Sequence, residues 1–205
     1  MKLSESFYQQ SNVVKIAREL LGKELFTNID KKISSGIIVE TEAYSWKEKG
    51  CHAYNNRKTS RNAVMFLPGG FSYVYLCYGI HHMFNVVTGG DGIAEAVLIR
   101  ALEPASGLPW MHQRMKTDPD SYRNYRITSG PGKLTKALGI DRSLNGKYLL
   151  GDEVWIEDSG PDSNRVGKNK IVASKRIGID YAGEDANLPW RFTIKDNVWV
   201  SKTRG

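Results

Sequence analysis

A chain of 205 residues has room for one domain with a substantial core, and two full-sized domains would be crowded. With 40% hydrophobic and 25% charged residues it reads as a folded globular protein and excludes a disordered one. Lys and Arg number 29 against 22 Asp and Glu, a formal net charge of +7. That excess suits a polyanion such as nucleic acid or an anionic membrane surface, and it equally fits a protein that is merely basic.

Only Cys51 and Cys77 carry thiols, too few and too isolated for a disulfide framework. The opening MKLSESFYQQ lacks the apolar stretch of a secretion signal, and no apolar run reaches membrane-spanning length. The expectation is a cytoplasmic protein with free thiols and one domain over residues 1–205, since no repeat or low-complexity tract divides it.

In chain order, Val13, Ile16, Ala17 and Leu20 recur at helical spacing and predict a helix over 12–21, capped by Ser11 or Asn12 and ended by Gly22. The run 36–44 (GIIVETEAY) predicts a strand, with Ile38, Glu40, Glu42 and Tyr44 on one face. Residues 45–63 are polar, rich in Lys, Arg and Asn, and predict a long loop. Aromatic and β-branched runs at 71–78 and 83–88, parted by Gly79-Ile80, predict paired strands, and 94–102 another that ends in Glu103-Pro104. A helix over 107–116 and a polar loop over 117–128 follow. Ser129-Gly130-Pro131-Gly132-Lys133-Leu134 then opens a helix whose Leu134, Ala137 and Leu138 face inward and whose end is Gly139. Strands are predicted near 153–156, 171–174 and 190–194. Helices and strands do not alternate regularly, so the fold class is α+β: a single domain with a curved, mainly antiparallel β-sheet and surrounding helices.

Glu40 and Glu42 end an apolar strand. A carboxylate on a rigid strand can hold water for general-base work, although most strand-end Glu residues are simply solvated. Tyr44, Tyr54, Tyr73, Tyr75 and Tyr78 fall in one short stretch beside His52, and rings of that kind can sandwich a purine, most strongly a cationic one. A tyrosine-rich sheet core would account for Tyr73 but less well for Tyr44, which adjoins polar residues. If Tyr75 and Tyr78 serve one site, the strand must end or bulge near Cys77-Gly79. The loop Arg57-Lys58-Thr59-Ser60-Arg61-Asn62 and the helix start at Lys133 offer donors for phosphates, and each also fits a plain solvated surface or cap. His81-His82 lacks any metal-ligand spacing and is expected to be a pair of polar turn residues. No GxSxG occurs, and adjacent Cys51 and His52 do not face each other in extended chain. No metal, cofactor or covalent thiol mechanism is expected.

Together these segments resemble the alkyladenine (3-methyladenine) DNA glycosylase family. The matches are VETEAY at 39–44, His52, TSRNAVMF at 59–66, YVYLCYG at 73–79, Asn85, LIRALEP at 98–104, SGPGKL at 129–134 and RIGIDYAGEDANLPWRF at 176–192. The resemblance implies a glycosylase that flips alkylated or deaminated purines out of double-stranded DNA and hydrolyses the N-glycosidic bond. With no lysine or N-terminal amine marked out for a Schiff base it is expected to be monofunctional, and because one damage site needs only one copy a monomer is expected. The resemblance implies that Glu42 activates water and that Arg100 helps hold that water. It implies further that Tyr44, His52, Tyr75 and Asn85 line the base pocket and that Tyr78 wedges into the duplex. Arg61 and Lys133 match basic positions near the DNA backbone, where the composition of the 57–62 loop also puts Arg57. Rival readings are a non-catalytic binder of damaged nucleic acid and an RNA-binding module, though RNP, KH and dsRBD patterns are missing.

Overall fold

The computed structural model describes residues 1–118, 120, 126–158 and 170–202. Much of the polar loop predicted over 117–128 therefore lies outside the described residues. A short helix, α1 (Glu5–Tyr8), leads into α2 (Val13–Glu19), where the Asn12 side chain accepts the Lys15 N–H at 3.0 Å. Such a cap satisfies one of the orphan donors of the first turn and contributes about 1 kcal/mol. The helix buries Val13, Ile16 and Ala17, the positions its spacing marks.

Strand β1 (Glu24–Ile29) was not among the predicted elements. It forms a tight hairpin with β2 (Lys32–Ser45) through Asp30 and Lys31, both at positive φ (52° and 63°). This turn geometry usually carries Asn-Gly or Asp-Gly, so Asp-Lys gave no signal. β2 therefore begins four positions before the predicted strand start, at 32 and not 36. Next come β3 (Ser72–Cys77), β4 (His81–Thr88), β5 (Glu95–Ser106), α3 (Leu108–Met115) and α4 (Pro131–Leu138), then β6 (Val154–Glu157), β7 (Ile171–Ser174) and β8 (Arg191–Ile194). β5 runs through Glu103-Pro104 where its end was expected, because β2 is long enough to pair with it as far as Ser106.

All pairings among the described strands are antiparallel, in the order β3-β4-β5-β2-β1-β6, with β8 joining β2 and carrying β7. The length of β2 sets the curvature. One of its edges pairs with β5 from Ser35 to Ser45, while the other is shared by β1 (at Lys32–Ile37) and β8 (at Glu40–Glu42). The main core packs α2 and α4 on the sheet through Ile16, Ala17, Leu134, Ala137, Leu138, Val97 and Ile99. A smaller cluster of Cys51, Ala53, Met65, Phe66, Tyr73, Val87 and Ala96 lies beneath residues 45–66. That segment is the long loop its polarity predicted, pinned by apolar side chains. It contains two 3₁₀ turns, Tyr54–Asn56 and Ala63–Phe66, anchored by those apolar side chains. His81 and His82, expected in a turn, are strand residues of β4 opposite Cys77 and Leu76.

Candidate active site

The pairing of β2 with β5 slips between Ile38 and Glu40 and again between Glu40 and Thr41. Each slip is a β-bulge, which re-aims a side chain. The first sends Ile38 into the core cluster with Leu25 and Leu102, so Ile38 does not share the face of Glu40 as strict alternation implied. The second, at Arg100, turns the guanidinium across two carboxylates: Arg100 Nε donates to Glu40 Oε1 at 2.8 Å and Nη1 to Glu42 Oε2 at 3.2 Å. Both glutamates are 0% exposed and Arg100 is 7% exposed. Unpaired buried carboxylates would each cost several kcal/mol, so the arginines are a condition of the fold.

Glu40 is saturated with donors. Its Oε1 accepts from Arg100, Arg191 Nε and Ser201 Oγ, each at 2.8 Å, and Oε2 accepts from the Ser201 N–H at 2.7 Å. Burial alone would raise the Glu40 pKa, but Arg100 and Arg191 outweigh it and hold the carboxyl below its usual range. Glu42 accepts fewer bonds: Arg100 and the Tyr44 hydroxyl (2.8 Å) on Oε2, and the Ile177 N–H (2.8 Å) on Oε1. Burial first, then the Glu42 carboxylate, pushes the Tyr44 hydroxyl well above its ordinary pKa, which keeps it a donor.

Tyr44, Arg100 and Ile177 also line a cavity of about 400 Å³. Glu42 stands just behind that wall, bonded to all three. The cavity is also lined by His52, Tyr73, Tyr75 and Asn85. The His52 ring meets Tyr75 edge-on with centroids 4.5 Å apart, and its Nδ1 lies 2.9 Å from the Tyr73 hydroxyl. Burial between these rings, helped by the Arg61 guanidinium, lowers the His52 pKa to about 4. The imidazole is thus neutral near pH 7, although the residue as a whole is solvent-exposed. Asn85 pairs with Tyr73 across the β3–β4 hairpin and donates from Nδ2 to the Tyr73 carbonyl at 3.0 Å, which fixes its amide.

The rim carries the exposed groups. β3 ends at Cys77, and the hairpin turns through Tyr78 (φ 50°) and Gly79 (φ 73°), with the Ile80 N–H donating to the Cys77 carbonyl at 3.1 Å. That early end lets Tyr75 and Tyr78 line the same cavity, with Tyr78 at the tip and 89% exposed. Arg61 is exposed, with its guanidinium 5.3 Å from the Tyr75 ring centre. Arg57 is exposed further along the same segment, and Tyr54 does not line the cavity. Lys133, in the first turn of α4, lines a neighbouring groove of about 430 Å³ that shares Arg100, Met83 and Ile177 with the cavity. The close approach of α4 to β4 there requires Gly132, where a Cβ would sit 2.8 Å from the His81 ring.

Residues 6–198 match the methylpurine-DNA glycosylase family. The chain belongs to that family. It is also 43% identical, over 98% of its length and 100% of theirs, to proteins of Alkaliphilus oremlandii and Bacillus cereus provisionally named 3-methyladenine DNA glycosylases. A Chlamydia felis protein with the same provisional name is 44% identical over 98% of both chains.

Some groups of this glycosylase that shape the site had no signal of their own. Arg176 makes a two-pronged pair with Glu48 (both contacts 2.7 Å) and lies 4.7 Å over the Tyr44 ring, fixing it from behind. The Ile177 N–H, which holds Glu42, is a backbone group and carries no side-chain signature. Both lie in the 176–192 segment that resembles the family, but only the fold brings that segment across from β2. Glu48 sits in the stretch that composition marked as a long loop.

Proposed function

We propose that this glycosylase removes alkylated or deaminated purines (the 3-methyladenine, 7-methylguanine, hypoxanthine and ethenoadenine class) from duplex DNA by base flipping, with Glu42 as general base. The observation that carries the reading is the placing of one buried carboxylate, fixed by three donors from three segments, directly behind a ring-lined cavity. Its volume lies within the usual range for small-ligand sites.

A base within a duplex is out of reach of any side chain, so the nucleotide is extruded at a cost of a few kcal/mol, less for a damaged or mispaired base. Tyr78, exposed at the hairpin tip, fills the space left in the stack, while Arg57, Arg61 and Lys133 face the backbone phosphates. In the cavity Tyr44, Tyr75 and the neutral His52 enclose the base, each ring contributing about 1–3 kcal/mol by stacking, more for an electron-poor cationic purine. Asn85, its amide held by the Tyr73 carbonyl, presents a fixed polar group that rejects the exocyclic amine of normal guanine.

As the glycosidic bond breaks, its electron pair leaves with the base and positive charge grows on the sugar. A carboxylate has about four acceptor sites, and three of Glu42's are used. The fourth accepts a proton from water as the water oxygen bonds to C1′, with Arg100 helping to hold it. The products are free base and an abasic sugar. Among the described residues no lysine lines the cavity, which favours hydrolysis over a Schiff-base route and strand nicking.

Single-turnover excision from a hypoxanthine-containing duplex, developed with alkali, tests the assignment. Glu42→Gln should lose about 10²- to 10⁴-fold in rate, the range of general-base contributions, while still binding damaged duplex. An undiminished rate would rule out Glu42 as the base, and no excision by the wild type would make this fold a damage binder.

A further inference from the structure

We infer that Glu40 is a positioning residue: held by Ser201 and Arg191, it detains the Arg100 guanidinium and so keeps Arg100 from closing onto both oxygens of Glu42. The inference rests on the reading of Glu42 as the base.

Two carboxylates compete for one guanidinium, and the geometry is uneven. Arg100 Nε lies 2.8 Å from Glu40, and Nη1 lies 3.2 Å from Glu42. Arginine prefers to grip one carboxylate with two parallel bonds. Were Glu40 absent, the fork would be free to swing onto Glu42 and occupy the acceptor site that water needs. Glu40 cannot itself serve as a second base of this site. It already accepts four hydrogen bonds, and of its donors only Arg100 lines the cavity, whereas all three donors of Glu42 do.

The anchor for Glu40 comes from the far end of the chain. Two of its four donors belong to Ser201. The segment before it is tied down by Asn197 Nδ2 on Glu103 (2.8 Å) and by Ser129 Oγ on the Val200 carbonyl (3.3 Å). Arg191, paired with Glu42 in the β2–β8 register, bonds Glu40 through Nε. A tail with no chemistry of its own thus acts on the reaction through two intermediates, Glu40 and Arg100.

The test compares wild type, Glu40→Gln, Arg100→Lys, the Glu40→Gln/Arg100→Lys double variant and Ser201→Ala, with Glu42→Gln as control. Single-turnover excision, affinity for a duplex carrying an abasic-site analogue, and thermal melting are measured on each. Glu40→Gln should excise about 10- to 100-fold more slowly, the scale of a small misplacement in an active site. Its affinity should stay within about 3-fold of wild type, because the pocket and rim are untouched. Lysine cannot fork, so the double variant should excise faster than Glu40→Gln alone. Ser201→Ala should show the same split between rate and affinity at about 2- to 5-fold, and it serves should Glu40→Gln fail to fold. A Glu40→Gln rate equal to wild type overturns the inference, as does a double variant whose loss is the product of the single losses. If Glu42→Gln excises normally, the base assignment fails instead, whatever Glu40 does.

Discussion

Arg176 and Glu48 form a deeply enclosed ion pair near the cavity. Two 2.7 Å bonds run in parallel, and the side chains are 0% and 3% exposed. Burial alone would lower the Arg176 pKa, but the Glu48 carboxylate more than offsets it, so the guanidinium remains charged. Glu48→Gln keeps the shape and removes the countercharge, leaving a cation sealed from water. Breaking a buried pair in this way costs about 3–5 kcal/mol. For a chain of this length each kcal/mol lowers the melting midpoint by about 2–4 °C, so a fall of about 6–20 °C is expected by calorimetry. Excision should suffer too, because Arg176 lies over the rings of Tyr44 (4.7 Å) and Trp190 (5.3 Å) and so supports a Glu42 donor. Glu48→Met/Arg176→Met removes both charges and should recover most of the melting loss, as apolar replacements of buried pairs often do. A single variant that melts within about 2 °C of wild type, or a double variant that melts below the single, would refute the reasoning.

Three further outcomes follow from the same geometry. The Glu40 carboxyl is held below its unfolded-chain pKa of about 4.3, so its contribution is fully present above that pH and is lost as pH falls through the folded value. Urea midpoints of wild type should therefore drop on acidification below about pH 5 more steeply than those of Glu40→Gln, and parallel curves would contradict this. Burial pushes the Cys51 thiol up to about 12, whereas Cys77 is half-buried at the cavity edge. A disulfide reagent should label Cys77 in the native protein and Cys51 only on unfolding, as peptide mapping would show. Tyr78→Ser removes the exposed side chain at the hairpin tip and should weaken nucleotide extrusion more than the chemical step. Equal 2-aminopurine fluorescence in mutant and wild-type complexes would contradict that role.

Much of the architecture was legible because local rules and tertiary packing agree. Helix α2 has its Asn12 cap and apolar spacing, α4 its Gly130-Pro131 entry and αL Gly139, and β3 and β4 their aromatic and β-branched runs. The errors fell where a distant contact overrides a local pattern. β1 was missed because its turn puts Lys31 at the positive-φ position where glycine usually follows Asp. Residues 45–63 read as a long loop and form one, but the anchors Glu48, Cys51 and Ala53 that pin this polar stretch recur with no period and went unseen.

The sequence by itself determined the fold class, the family motifs and the candidates Glu42, Tyr44, His52, Tyr75 and Tyr78, with Asn85 and Arg100 marked by the family resemblance alone, since residue type, spacing and motif order are local and survive in one dimension. Only the tertiary structure decided that the bulge at Arg100 makes it bridge two buried carboxylates, and that Glu42 is completed by a backbone N–H 135 residues away. It alone decided that Ser201, 161 residues away, saturates Glu40. Burial and hydrogen-bond partners are properties of where the sheet curls, and strand register fixes them in a way that no local pattern records.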